Sequence, residues 1–167
     1  MTLKYFLPVL MLAAASCNLK PGADWQEIRK SKSVYPADSI VVVKHLLLQD
    51  TQTVWINAGY NNYPYKEFCT TSIRVTFDLS QTILLEKLGN DSLNHAAMLS
   101  EIFKQNGITH FVGQTIFQNN LIVYIYAENE MNVMSVLHDY VVPANARIET
   151  DTEWKAYEDL VELLLKH

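Results

Sequence analysis

Apolar and polar residues alternate from Thr51 to Tyr60, with Val54, Ile56 and Ala58 on one side, and this period of two predicts a strand. The same pattern returns over Ser72 to Leu79. There Ile73, Val75, Phe77 and Leu79 share one face, and Arg74, Thr76 and Asp78 share the other. Ser39 to Gln49 opens with Ile40-Val41-Val42-Val43, whose β-branching favours a strand at its start. Asp24 to Ser33, around Trp25, fits either a short helix or an irregular lead-in.

The period turns helical over Asp91 to Asn106, where Leu93, Ala96, Ala97, Ser100 and Phe103 trace one side. Asp91 or Ser92 can cap its start, and Gly107 suits a left-handed position just beyond its end. Ile108 to Gln118 and Leu121 to Ala127 read as strands joined by Asn119-Asn120, residues that tolerate positive φ. Asn129 to Val141 reads as a second helix stopped before Pro143, and Arg147 to Glu149 as a short strand. Trp154, Tyr157, Leu160, Val161, Leu164 and Leu165 then fall at helical spacing.

Residues 72–150 therefore run strand, helix, strand, strand, helix, strand, the order of the split βαβ unit. The expected architecture is α+β: a ferredoxin-like βαββαβ core with two helices on one face. A strand at 51–60 is added by pairing with 72–79, and a C-terminal helix covers an edge or end.

The first residues read as an address. Lys4 precedes the apolar stretch Tyr5 to Ala15, and Ala14-Ala15-Ser16 puts small residues before Cys17. The apolar run falls short of the roughly 20 residues that span a bilayer. Small residues ending in Cys resemble the lipobox of bacterial lipoproteins, although Ala14 stands where Leu is usual. The resemblance implies a signal peptide at 1–16, lipidation (palmitate among the acyl groups) of Cys17, a tether at 17–23 and one domain at 24–167. The product would be a lipoprotein of the cell envelope, membrane-anchored by lipid and facing the periplasm. An ordinary cleaved signal and an unprocessed anchor are the alternatives.

Charge and cysteine usage narrow the partners. Removing residues 1–16 takes away only Lys4, leaving twelve basic against eighteen acidic residues. An acidic chain without a basic run matches neither phosphate backbones nor anionic headgroups, so no nucleic-acid partner is expected. With Cys17 lipidated, Cys69 has no cysteine partner within the chain, and stability must come from the core.

Other residues suggest a family. Trp55-Ile56-Asn57, the loop at Tyr63-Pro64, the aliphatic strand 73–79, Gly107-Ile108 to Val112-Gly113, the Leu121 to Tyr126 strand and Asp151-x-x-Trp154-x-x-Tyr157 occur in this order. Together, over residues 51–165, they resemble DUF695, a bacterial family of unknown function. The stretch after Leu79 is shorter than family members often carry. The resemblance implies a small α+β domain and, by analogy with domains found beside it, protein binding. It carries no catalytic residues.

No local motif encodes a metal site, a phosphate loop or a nucleophile elbow, and no cofactor is expected. His45, His95, His110, His138 and His167 are scattered, and the acidic group Glu149, Asp151, Glu153 suits the start of the final helix better than a cation. Cys69 is the one candidate nucleophile, and Glu67 nearby would raise its pKa. Tyr124 and Tyr126 alternate with Val123 and Ile125 and so share the opposite face. With Phe111, Phe117, Tyr63 and Tyr65 they form a candidate interaction face, unless the N-terminal segment or C-terminal helix packs over them. The expected function is a non-enzymatic, membrane-tethered protein-binding module, inhibitor- or immunity-like. An envelope thiol enzyme or hydrolase using Cys69 with a histidine, and a purely structural lipoprotein, are the alternatives.

Overall fold

A computed structural model describes residues 24–31, 34–47, 50–80, 99–129, 131–138 and 145–165. The signal peptide, Cys17, the tether, most of the helix expected from Asp91 and the stop at Pro143 lie outside these residues. The described elements are α1 (Trp25–Ile28), β1 (Ile40–Leu47), β2 (Asp50–Asn57), β3 (Thr71–Asp78), the helical residues 99–104 (α2), β4 (Thr109–Phe117), β5 (Asn120–Ala127), α3 (Val133–His138), β6 (Asn145–Thr150) and α4 (Lys155–Leu165).

The strands form one six-stranded antiparallel sheet in the order β1-β2-β4-β5-β3-β6, so the fold is mixed α+β. Alternation sorts its side chains onto two buried faces. Ile73, Val75 and Phe77 of β3 meet Leu121, Val123 and Ile125 of β5 on one face, under Leu99 and Phe103 of α2 and Val133 and Val136 of α3. Val54 and Ile56 of β2, Val112 of β4 and Tyr126 of β5 lie on the other face. That face is roofed by Tyr157 and Leu160 of α4, by the loop carrying Tyr60, Tyr63 and Tyr65, and by Ile28 and Val34. The C-terminal helix thus covers a face of the sheet, not the edge or end expected of it.

The strand at 51–60 also pairs differently from expectation. It does not join 72–79, because both sides of β3 are taken, by β5 and by β6. Instead β2 pairs with β4 on one side and with β1 on the other, so the N-terminal addition is a two-stranded hairpin. Two local corrections have equally simple causes. Gln118 (φ 48°) and Asn119 (φ 61°) are the central residues of the β4–β5 turn, one residue earlier than Asn119-Asn120, with Phe117 facing Asn120. A two-residue turn with both central φ values positive matches strand twist. Gly107 does not take the left-handed position; it is small because a Cβ there would meet the Glu128 carboxylate at 2.5 Å.

At Gly113, β4 lies close against both β2 and α4. The β4–β5 register shifts between Phe111 and Gly113, a bulge that inserts Val112 into the pairing. A Cβ on Gly113 would lie 2.5 Å from the Trp55 carbonyl oxygen and 3.2 Å from Leu160 Cδ1. Neither the β2 backbone nor the packed helix can give way cheaply. Gly113→Ala is therefore expected to cost about 1–3 kcal/mol, read as a lower urea midpoint with an unchanged m-value.

Candidate functional site

Among the described residues, a dense cluster of polar and aromatic side chains lies under α4, and it begins with a motif. Asp151 accepts from the Lys155 N–H at 2.8 Å and from the Ala156 N–H at 2.9 Å, satisfying two of the donors that open α4. Its Oδ2 also accepts from the Tyr126 hydroxyl at 2.6 Å. Burial alone would raise the Asp151 pKa, but these donors, with the Arg74 charge, hold it below the usual carboxylate range.

Three residues on, Trp154 adopts φ 58°, a left-handed conformation that a bulky side chain rarely takes. That backbone turn drops the indole onto Tyr126, with ring centroids 4.1 Å apart and planes within 8°. Its Nε1–H donates to the Cys69 carbonyl at 2.8 Å. Lys66 Nζ lies 5.5 Å from the indole centroid, within cation–π range. Tyr157 then donates its hydroxyl to the Asn61 side-chain oxygen at 2.7 Å and lies 3.1 Å from the Asn57 carbonyl. Asp151, Trp154 and Tyr157 therefore latch helix, sheet and loop together.

His110 sits at the centre, wholly buried. Tyr63 donates its hydroxyl proton to the Val34 carbonyl at 2.9 Å, so it must accept from His110 Nε2–H, also at 2.9 Å. Nδ1 is then the acceptor for the Tyr60 hydroxyl at 3.2 Å. The network assigns the neutral Nε2–H tautomer. Burial pushes the His110 pKa down to about 3 and raises those of Tyr60 and Tyr63 well above the ordinary phenol value. A neutral imidazole with both nitrogens engaged has no lone pair left for a substrate or a metal.

Cys69 is fully buried, and burial, followed by the charge of Glu128, pushes its thiol up to about 12. The opposing carboxylate is Glu128, at the end of the neighbouring strand β5, while Glu67 is exposed. Glu128 itself is held by Arg29 Nη2 at 2.9 Å and the Ile108 N–H at 3.1 Å. The thiolate that nucleophilic catalysis needs is absent at neutral pH.

The residues expected to share an open aromatic face are placed as follows. Tyr126, Tyr63 and Tyr65 are buried beneath α4 and the N-terminal segment, and Tyr124 packs half-buried against the same cluster. Phe111 packs into the opposite layer, and Phe117 lies half-buried at the end of β4. The face is covered because the Trp154 stack needs Tyr126 as its floor. His110, Tyr60, Trp154 and Tyr157 were not on the expected face; the Asp151-x-x-Trp154-x-x-Tyr157 spacing signalled the last two, while Tyr60 stood only as the end of the strand at 51–60 and His110 as one of five scattered histidines. Of the acidic group, Asp151 caps α4 as expected, and Glu149 pairs with Arg74 and Arg147 on β6.

Among the described residues no three His, Cys, Asp or Glu side chains are grouped to hold a metal. A cleft of about 260 Å³ runs beside Tyr35, Asp38, Asn57, Lys104 and Phe111, and another of about 220 Å³ beside Arg74 and Tyr124. Both fall below the roughly 300 Å³ at which small-molecule sites begin. Comparison with protein-family models, with curated proteins and with solved structures returned no match.

Two measurements check this account. The His110 pKa is about 3 folded and about 6.5 unfolded, so between those values only the unfolded chain takes up the proton. Stability from this group is therefore complete above pH 6.5 and falls as the pH drops toward 3. In His110→Gln the wild-type slope of unfolding free energy between pH 7 and 5 should flatten, although the variant is less stable overall. A maleimide should modify Cys69 in denaturant at least a hundredfold faster than in the folded chain at pH 7; equal rates would show an exposed thiolate.

Proposed function

We propose that this chain is a membrane-tethered, non-enzymatic protein-binding module of the cell envelope, lipidated at Cys17, whose contact element is the free edge of β1. The carrying observation is that edge. Among the described residues no strand pairs with β1 on the side away from β2, and Ile40, Val42 and Leu46 are 54%, 49% and 83% exposed along it. An exposed, apolar edge strand offers a row of backbone donors and acceptors to an incoming strand.

The covered aromatic cluster supports the same reading from the other direction. Its His110, Tyr60 and Tyr63 are buried, neutral and hydrogen-bonded to one another, which is how a scaffold uses them. We read the aromatic layer as what holds the sheet rigid, and β1 as what the sheet presents. Cys17 behind a short apolar leader supports the tether.

Two finer assignments belong to this reading. The first is a ferredoxin-like core. In the order β6-β3-β5-β4 the unit's first strand lies between its fourth and third, with the second outermost, as a split βαβ unit requires. The second is kinship with DUF695, supported by the motif residues Asp151, Trp154 and Tyr157, which carry the latch.

The test has two arms. A fatty-acid analogue should label the wild-type chain and not Cys17→Ala, which should leave the membrane fraction. A photo-cross-linker at position 46 of the full chain in intact envelopes should yield a discrete protein adduct. Val42→Lys should remove that adduct while changing stability by less than about 0.5 kcal/mol, because the side chain is half exposed. An unlabelled chain, or an adduct indifferent to Val42→Lys, overturns the proposal.

A further inference from the structure

We infer that the strand that pairs with β1 is β1 of a second copy, joined antiparallel about a two-fold axis through Val41 to give one continuous twelve-stranded sheet. This rests on the reading of β1 as the contact edge and names its occupant.

The backbone limits the registers. The Ser39 carbonyl accepts from the Ala58 N–H at 2.8 Å, and the Ser39 N–H donates to Asn57 Oδ1 at 3.0 Å, so Ser39 turns both polar groups inward toward β2. By alternation Ile40, Val42, Lys44 and Leu46 direct theirs to the free edge. Their side chains share one face, that of the β2 partners Asn57, Trp55, Thr53 and Thr51. A partner strand must bring its own outward-turned residues opposite them.

Charge and polarity choose among what remains. With Val41 opposite the partner's Val41, Ile40 faces Val42 and Val42 faces Ile40. Lys44 faces Asp38 at each end of the paired segment, and Leu46 faces Pro36. Lys44, Asp38 and Ser39 are exposed in the single chain. One Asp38 oxygen accepts from Asn57 Nδ2 at 2.8 Å, which fixes the carboxylate beside the start of β1. Centring on Val42 puts Lys44 against Ile40 and Leu46 against Asp38. Centring on Val43 puts Lys44 against Val42, and centring on Lys44 opposes two ammonium groups. Only the Val41 centre pairs apolar with apolar and cation with anion at the same time.

Two edges of this length bury less than the 1,200 Å² or so of a standard stable interface, so the dimer is weak in solution. Confinement of both tethers to one membrane raises the effective concentration and favours it there.

Cysteine substitution reads the register directly. A non-hydrogen-bonded pair brings opposed Cα atoms to about 4.5 Å, inside disulfide range, and Val41 is the one position on β1 that faces itself. The full chain carrying Val41→Cys, in oxidising envelopes or in vesicles of phosphatidylethanolamine and phosphatidylglycerol, should form a disulfide dimer at least tenfold above wild type and above Val43→Cys. Lys44→Asp added to Val41→Cys should reduce the dimer at least fivefold, and further addition of Asp38→Lys should restore it. Homodimer formed best at position 43, or yield unchanged by Lys44→Asp, overturns the register. If Val41→Cys gives no homodimer while the position-46 adduct with another protein persists, the second copy is overturned and β1 as a contact edge stands. If both are lost, the contact edge itself falls.

Discussion

The stack of Trp154 on Tyr126 is the contact on which the rest of this molecule depends. It joins the one helix that follows the sheet to a central strand, and it does so at the point where the chain must leave β6 and turn back across the face. The left-handed backbone at Trp154 costs roughly 1–2 kcal/mol for a residue with a Cβ. Burying a tryptophan completely, with its N–H bonded to Cys69, returns more than that, since losing such a side chain typically costs about 3–5 kcal/mol. Asp151 makes the geometry possible by serving two masters: it caps α4 and accepts the Tyr126 hydroxyl, so the helix start and the floor of the stack are set by one carboxylate.

From that contact follows the fate of the titratable groups. Once α4 and the 58–69 loop close over the sheet, His110, Tyr60, Tyr63 and Cys69 lose water, and each keeps its neutral form. The histidine remains tolerable there only because two tyrosines engage both its nitrogens. The same groups in an open cleft would look like acid–base machinery; in this one they are mutual hydrogen-bond partners. Among the described residues, exposed backbone and apolar surface lie together at the end of the sheet opposite to β6.

The sheet's asymmetry gives that end its character. β6, at one edge, carries Glu149 between Arg74 and Arg147, and charges of this kind discourage a further strand. β1, at the other edge, carries a run of β-branched residues and a single Lys44 on its outer positions. A protein guarding both edges would have spent charge on both. The difference is what draws the proposed contact to the N-terminal hairpin.

Much of the architecture was legible in the residues. Period-two alternation located β2, β3 and β5, and helical spacing located α4, because those patterns report which side of each element meets a core; β4 was legible only as a strand-like run. The leader expected before Cys17 rests on residue type and order alone. What alternation could not say was what would lie on the far side of the tyrosines. A face carrying Tyr124 and Tyr126 looks the same in sequence whether it is open or roofed, and only packing across more than 25 residues, from Tyr126 to Trp154, decided it. The partner of β2 was undetermined for a related reason. Strand pairing is a contest for free edges, and it was settled only when β5 and β6 had taken both sides of β3. Local sequence specifies an element and its buried side; which surfaces stay exposed depends on long-range contacts that no short stretch of chain contains.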